Sequence, residues 1–277
     1  MSMRVATNTS ALNAIRSFGT NTRSIDKAFE QMASGSRINR AADDAAGLAI
    51  SESFKAQIRS ATQAKRNAND GISMVQTAEG GLAEIGNMVV RLRELGIQAA
   101  SDTVGADERS FINAEVEQLK EEMQRIAETT KWGSTSLLDG SAPRFDFQVG
   151  INNSDFADRI SFDSQDLDAN LTTLGLSGIN FSEKTGAQEG LQELDAAQTE
   201  VSRIRANLGA LQNRLVNTVS NLGGMEENLS AANSRIRDAD MADVSAELTK
   251  SQILMQANTA TLAQANQKNS LALQLLG

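Results

Sequence analysis

Apolar positions in the last third of the chain fall on one stripe. Leu194, Val201, Ile204, Leu208, Leu211, Leu215, Leu222, Met225, Leu229 and Ile236 recur mostly at intervals of three, four or seven. That is the periodicity of one helix face. It predicts a helix from about Gln188 to Ile236, with a stripe running roughly 60 Å at 1.5 Å per residue. A stripe of this length is buried lengthwise against other helices, not inside a compact globule.

The same pattern recurs earlier, with interruptions. Val5, Leu12, Ile15, Phe18, Ile25, Phe29 and Met32 have helical spacing, diluted by Asn, Ser and Thr that offer competing backbone bonds. This first segment is expected to be marginal alone and helical when packed. Gly35 in Ser34-Gly35-Ser36 suits a left-handed cap, and Asp43 or Asp44 suits the N-cap of a second helix. That helix carries Leu48, Phe54 and Ile58, then Ile72, Val75, Leu82, Ile85, Val89, Leu92 and Ala99 in near-heptad spacing. Gly71, Gly80 and Gly81 interrupt it and are read as places where another helix comes close. Ile112, Val116, Leu119, Met123 and Ile126 mark a third helix, with Trp132 expected to pack at its end. Beyond it the pattern changes. Phe145, Phe147, Val149 and Ile151 alternate with polar residues or Gly, and Ile160-Ser161-Phe162 is a second strand candidate. After the long helix and a polar interruption, Val244, Leu248, Met255, Leu262, Leu271, Leu275 and Leu276 define a last amphipathic segment, rich in Ala, Gln and Asn like the first.

The expected fold is therefore mainly α: a long coiled-coil helical bundle with a small β-hairpin insert between N- and C-terminal helical halves. The blocks are 1–43, 44–140, 141–186, 187–236 and 237–277, with the two end segments brought together in space.

Composition narrows the chemistry. The 277 residues include no Cys and no His, which excludes disulfides, thiolate nucleophiles, imidazole bases and the usual zinc ligands. A net charge of -9 with dispersed basic residues argues against nucleic acid or a membrane surface as partner. No apolar run approaches the ~18 residues of a membrane span, and Met1 to Asn13 lacks the apolar core of a secretory signal. With one Pro, at position 143, long helices are permitted. Gly81 to Gly86 has phosphate-loop spacing, but Asn87 stands where Lys is required. Asp163, Asp166 and Asp168 lack the Gly and terminal Glu of a calcium loop and read as a solvated loop. No catalytic residue, metal site or cofactor is expected, so the chain is read as a non-enzyme.

Several motifs, in order, resemble the bacterial flagellin family. They are Ser34-Gly35-Ser36-Arg37-Ile38-Asn39 with Asp43-Asp44-Ala45-Ala46-Gly47, Arg66 to Ser73, Arg91-Leu92-Arg93-Glu94-Leu95, Ser234 to Asp240, Gln252-Ile253-Leu254, and Leu262 to Gln267. Lys268-Asn269 stands where the family often has Pro.

The resemblance implies a structural subunit that self-polymerises into the extracellular flagellar filament for swimming motility. It implies export in an unfolded state, addition at the distal tip, an inner coiled-coil layer made by both chain ends, and a solvent-facing middle segment that is short here. The nearest alternative is a hook–filament junction protein. Implied partners are other flagellin subunits, an export chaperone at the C-terminal segment, and cap and hook-associated proteins. The candidate self-assembly residues are Val5, Leu12, Ile15, Ile25, Phe29, Val244, Leu248, Met255, Leu262 and Leu275. Arg91, Leu95 and Glu115 match positions of a surface used for axial packing between subunits and, in some members, for a Toll-like receptor. Val90 stands where receptor-active members often carry Gln.

Overall fold

The computed structural model describes residues 7–274, with side chains through residue 267. Five helices carry most of it: α1 (Thr9–Ser34), α2 (Ala45–Ala99), α3 (Ala106–Thr129), α4 (Lys184–Arg237) and α5 (Met241–Gln274). Two antiparallel strand pairs lie between α3 and α4. One pairs β1 (Lys131–Trp132) with β2 (Thr135–Ser136), and the other pairs β3 (Phe145–Gln148) with β4 (Arg159–Phe162). In the second, Phe145 faces Phe162 and Phe147 faces Ile160, the alternation expected from the sequence.

The chain divides into two compact units. One joins the residues up to Gln57 with those from Glu227 onward; the other is Ile58–Glu226. These limits fall inside α2 and α4, whereas the sequence blocks change near 43 and 236. Hydrogen bonds join the α2 and α4 ends that belong to the first unit. Ser51 Oγ donates to Asn233 at 2.8 Å and Arg237 to Glu52 at 2.7 Å, tying the first turns of α2 to the end of α4.

In the unit Ile58–Glu226 the three stripes form one aliphatic core. Leu82, Ile85, Val89 and Leu92 of α2, Val116 and Met123 of α3, and Leu194, Val201, Ile204, Leu208 and Leu215 of α4 are all buried in it. Leu137, Leu138, Leu167, Leu176 and Phe181, from the segment between α3 and α4, join the same core. Lys120 anchors that segment. It is a buried cation that donates to the carbonyls of Ser177 and Ile179, each at 3.2 Å, and to Glu117 at 3.1 Å. Asn113 adds an acceptor for the Phe181 amide at 2.8 Å. These bonds satisfy backbone groups that a buried coil would otherwise leave unpaired.

One sequence expectation is met in part here and another changes. At Gly71 a helix does come close, since a Cβ there would lie 3.3 Å from Leu215 of α4, but it shares the space with the insert. The same Cβ would lie 3.1 Å from the Phe147 ring of β3, and one on Gly81 would lie 2.8 Å from Leu138. The space is shared by α4, the hairpin and the chain that follows α3, while Gly80 faces open space. Trp132 is in β1 and remains 40% exposed, so it is not a buried helix-end residue. Its hairpin turns at Gly133, whose φ of 61° is left-handed, and that turn leaves the ring at the surface.

Asp163, Asp166 and Asp168 lie on or beside a 3-10 turn at Ser164–Leu167. Asp163 accepts from the Gln165 amide at 3.1 Å, and Asp168 from the Asn170 amide at 3.0 Å. These carboxylates cap local backbone.

The core assignment carries a stability prediction. Ile204→Ala removes a fully buried side chain and should cost about 2–5 kcal/mol in urea denaturation of the monomer. Phe111→Ala, at a side chain 74% exposed, should stay within about 0.5 kcal/mol. Equal losses at the two positions would contradict the packing.

Candidate assembly interface

Helices α1 and α5 pack on each other in antiparallel fashion. Asn8 caps α1 by accepting from the Ala11 amide at 3.1 Å, and its side-chain amide donates to the Ala265 carbonyl at 3.0 Å. At the opposite end Gly35, with φ 67°, ends α1 in a left-handed cap as its sequence context predicts. The connector then meets the one between α4 and α5. Ser36 and Asp238 form an isolated antiparallel bridge. The Arg37 amide donates to the Arg237 carbonyl at 2.6 Å, and the Ala239 amide to the Gly35 carbonyl at 3.0 Å. The Arg37 side chain adds a bond to the Ile236 carbonyl at 2.8 Å. Asp44, one of the two N-cap candidates, accepts from the Gly47 amide at 2.8 Å, while Asp43 pairs with Lys27 at 3.0 Å.

Two helices cannot cover each other all round. The α5 stripe of Val244, Leu248, Met255 and Leu262 is half-buried, in line with the buried Ser251 and Ala265. On α1, Ile25 and Ala28 are buried. The rest of the apolar surface stays open: Leu12 is 54% exposed, Ile15 55%, Phe29 53% and Ile253 59%, with Phe18 and Leu254 also exposed. Each fully buried side chain of this size stabilises by ~1.5–3 kcal/mol, so these half-open positions hold a substantial unused share. Of the candidate self-assembly residues, Leu12, Ile15 and Phe29 lie on the open face. Ile25 lies within the pair, and Val244, Leu248, Met255 and Leu262 are partly covered. Val5 and Leu275 lie outside the described residues. Periodicity missed Ile253 and Leu254 because they fall off the α5 stripe. The signal for them was two adjacent large aliphatics on the far side of an amphipathic helix.

The Arg91 group sits in the other unit. Arg91 donates to Glu115 through Nη2 at 2.8 Å and to Glu94 through Nη1 at 3.0 Å. The bond to Glu115, then the one to Glu94, raises the guanidinium pKa above its ordinary value. Leu95 is only 3% exposed and belongs to the core, so the accessible part of this group is Arg91 with its carboxylates. Val90, noted from the sequence, is exposed here; Ile97, seven residues further along α2, and Phe111, one turn before Glu115 on α3, are exposed too and were not picked out from sequence. They stand out because large apolar side chains stay exposed beside a well-filled core.

Residues 5–142 match the bacterial flagellin N-terminal helical region, and residues 191–276 match the C-terminal helical region. The chain belongs to the bacterial flagellin family. It is similar to flagellin of Halalkalibacterium halodurans, 45% identical over 97% of this chain and 98% of that one. Flagellin of Bacillus subtilis is 38% identical over 99% and 100% of the two chains. The crystal structure of Bacillus cereus flagellin superposes with a TM-score of 0.50 at 28% identity, covering 61% of this chain and 94% of that one.

Two carboxylates beside the connector bridge of this flagellin are held in their ionised form. Glu52 is held below its ordinary pKa of 4.5, first by the hydrogen bond from Arg237 and then by the charge of Lys55. Asp43 is held below 3.8, first by the bond from Lys27 and then by the Arg40 amide. A depressed carboxyl pKa stabilises above the ordinary value, and that contribution is lost as pH falls through the folded value. Amide exchange at Arg37 and Ala239 in the monomer should therefore quicken as pH drops below about 4.5, after correction for intrinsic rates. Glu52→Gln should show fast exchange already at neutral pH and less dependence on acid. A pH-independent Arg37 amide would refute this.

Proposed function

We propose that this flagellin, a structural subunit of the extracellular bacterial flagellar filament, polymerises through the open faces of α1 and α5. The observation that carries the reading is the row of large apolar side chains on Leu12, Ile15, Phe29 and Ile253, exposed on helices that are otherwise amphipathic. Neighbouring copies bury them. Burial within a growing polymer converts marginal terminal helices into packed ones, and no chemical step is needed.

Export in an unfolded state and addition at the distal tip fit a chain without Cys, because no oxidative cross-link has to form or break on the way. The C-terminal segment, amphipathic and uncharged over residues 251–267, suits the groove of an export chaperone, where an amphipathic helix lays its apolar face into a hydrophobic cleft. Cap and hook-associated proteins meet the same terminal helices at the two ends of the filament. The related chains named above are flagellins, which favours a filament subunit over a hook–filament junction protein.

The Arg91 surface is proposed as an axial packing surface between subunits. Its exposed Val90, Ile97 and Phe111 supply apolar area around an ion pair. A Toll-like receptor meeting the free subunit would use Arg91 and Glu115 there, with Leu95 supporting them from beneath.

The test is seeded elongation. Leu12→Asp and Ile253→Asp each place a charge on the open face, so the monomer should keep wild-type helicity and denaturation. Losing one buried apolar side chain in the polymer should slow or weaken growth by about tenfold or more. Wild-type growth from both variants would contradict the proposal.

A further inference from the structure

The α1·α5 pair is electrically polar along its length. Its register is fixed by Asn8 opposite Ala265 and Ser36 opposite Asp238. The half of the pair made by residues 8–25 and 249–267 carries Arg16, Arg23 and Lys250 and no carboxylate, a net +3. The half beside the connector bridge, residues 26–37 and 238–248, carries Asp26, Glu30, Asp238, Asp240, Asp243 and Glu247 against Lys27 and Arg37, a net -4. Lys250 and Glu247 pair across the boundary at 3.2 Å, but several other groups are unspent within the subunit. The Arg23 side chain reaches only the Gly19 carbonyl and the Thr20 hydroxyl, and Arg16 makes no ion pair among the described residues. Asp240 caps the Ala242 amide at 2.9 Å, and neither it, Asp26 nor Asp243 has a cationic partner among the described residues.

Shape follows charge. A groove of about 530 Å³ lies beside the bridge, lined by Lys27, Ala28, Arg37, Asp240, Asp243 and Val244 among others. Arg16 and Arg23 are two turns apart on one side of α1, about 10.5 Å at the helical rise. Asp240 and Glu247 have the same seven-residue spacing along the acidic wall.

We infer that the acidic groove beside the Ser36–Asp238 bridge receives the Arg16–Arg23 face of α1 from a second copy of this chain, so that terminal helix pairs stack head to tail. This rests on the filament reading and adds a direction to it. The apolar face supplies adhesion but no polarity. The charge asymmetry does: copies pointing the same way bring +3 onto -4, whereas copies pointing opposite ways bring like ends together. A head-to-tail contact is heterologous and does not close on itself, so growth stays open.

Charge reversal in seeded elongation tests this directly. Wild-type elongation should slow as salt is raised, because exposed charges are screened. R16E/R23E and D243K/E247K should each elongate wild-type seeds about tenfold more slowly. The chain carrying all four changes should polymerise with itself again yet fail to extend wild-type seeds. Monomer helicity is read first; where a reversal lowers it, R16Q/R23Q replaces the reversal with the same slowing expected. Wild-type rates from the arginine variant, or a fourfold chain as defective as either pair, would overturn the inference and leave the filament reading intact. Failure of the wild-type chain itself to extend seeds would overturn the filament reading.

Discussion

A pair of helices can hide only the faces they turn to each other. In the unit Ile58–Glu226, α2, α3 and α4 turn their apolar stripes inward, and the segment over residues 137–181 covers part of what they leave open. That unit is complete by itself. The pair α1·α5 has no third element among the described residues, and Leu12, Ile15, Phe29 and Ile253 stay in water. The polymerisation proposed through α1 and α5 follows from that contrast. One unit is a finished core, and the other carries an apolar seam that further copies can finish.

Different forces serve different ends of the task. Aliphatic burial is non-directional, so it supplies adhesion and tolerates sliding along a seam. Backbone bonds at the Ser36–Asp238 bridge fix where α1 and α5 lie against each other, and Arg237 with Glu52 fastens the bridge to α2. The exposed charges contribute little to stability, since surface ion pairs are screened. They discriminate instead between orientations that the apolar seam treats alike.

Much of this was legible in the residues. The three-four spacing of the α2, α3 and α4 stripes located the core, the alternation at Phe145 and Phe147 located a strand, and Gly35 and Asp44 marked helix ends. These succeed because periodicity and cap chemistry are local. Periodicity says which residues share a face, and it does not say what covers that face. So Gly71 and Gly81 signalled close approach without revealing that Phe147 and Leu138 would share the space. Leu95 matched a surface motif while its side chain turned into the core. Lys120 gave no hint of its buried bonds to Ser177 and Ile179, because those partners are backbone carbonyls from a distant coil. Phe156, 99% exposed at the tip between β3 and β4, sits in a segment whose loop signals are strong, and no local rule says that an aromatic ring there stays in water.

The seam is tested most directly by amide hydrogen exchange compared between monomer and filament. Protection within Thr9–Ser34 and Met241–Gln274 should rise by orders of magnitude on polymerisation, while the buried stripe of Leu82, Ile85 and Val89 changes little. Strong new protection is expected only in α1 and α5 and on the exposed surface around Val90 and Phe111. Terminal helices already fully protected in the monomer, or left as open in the filament as before, would contradict the unfinished seam.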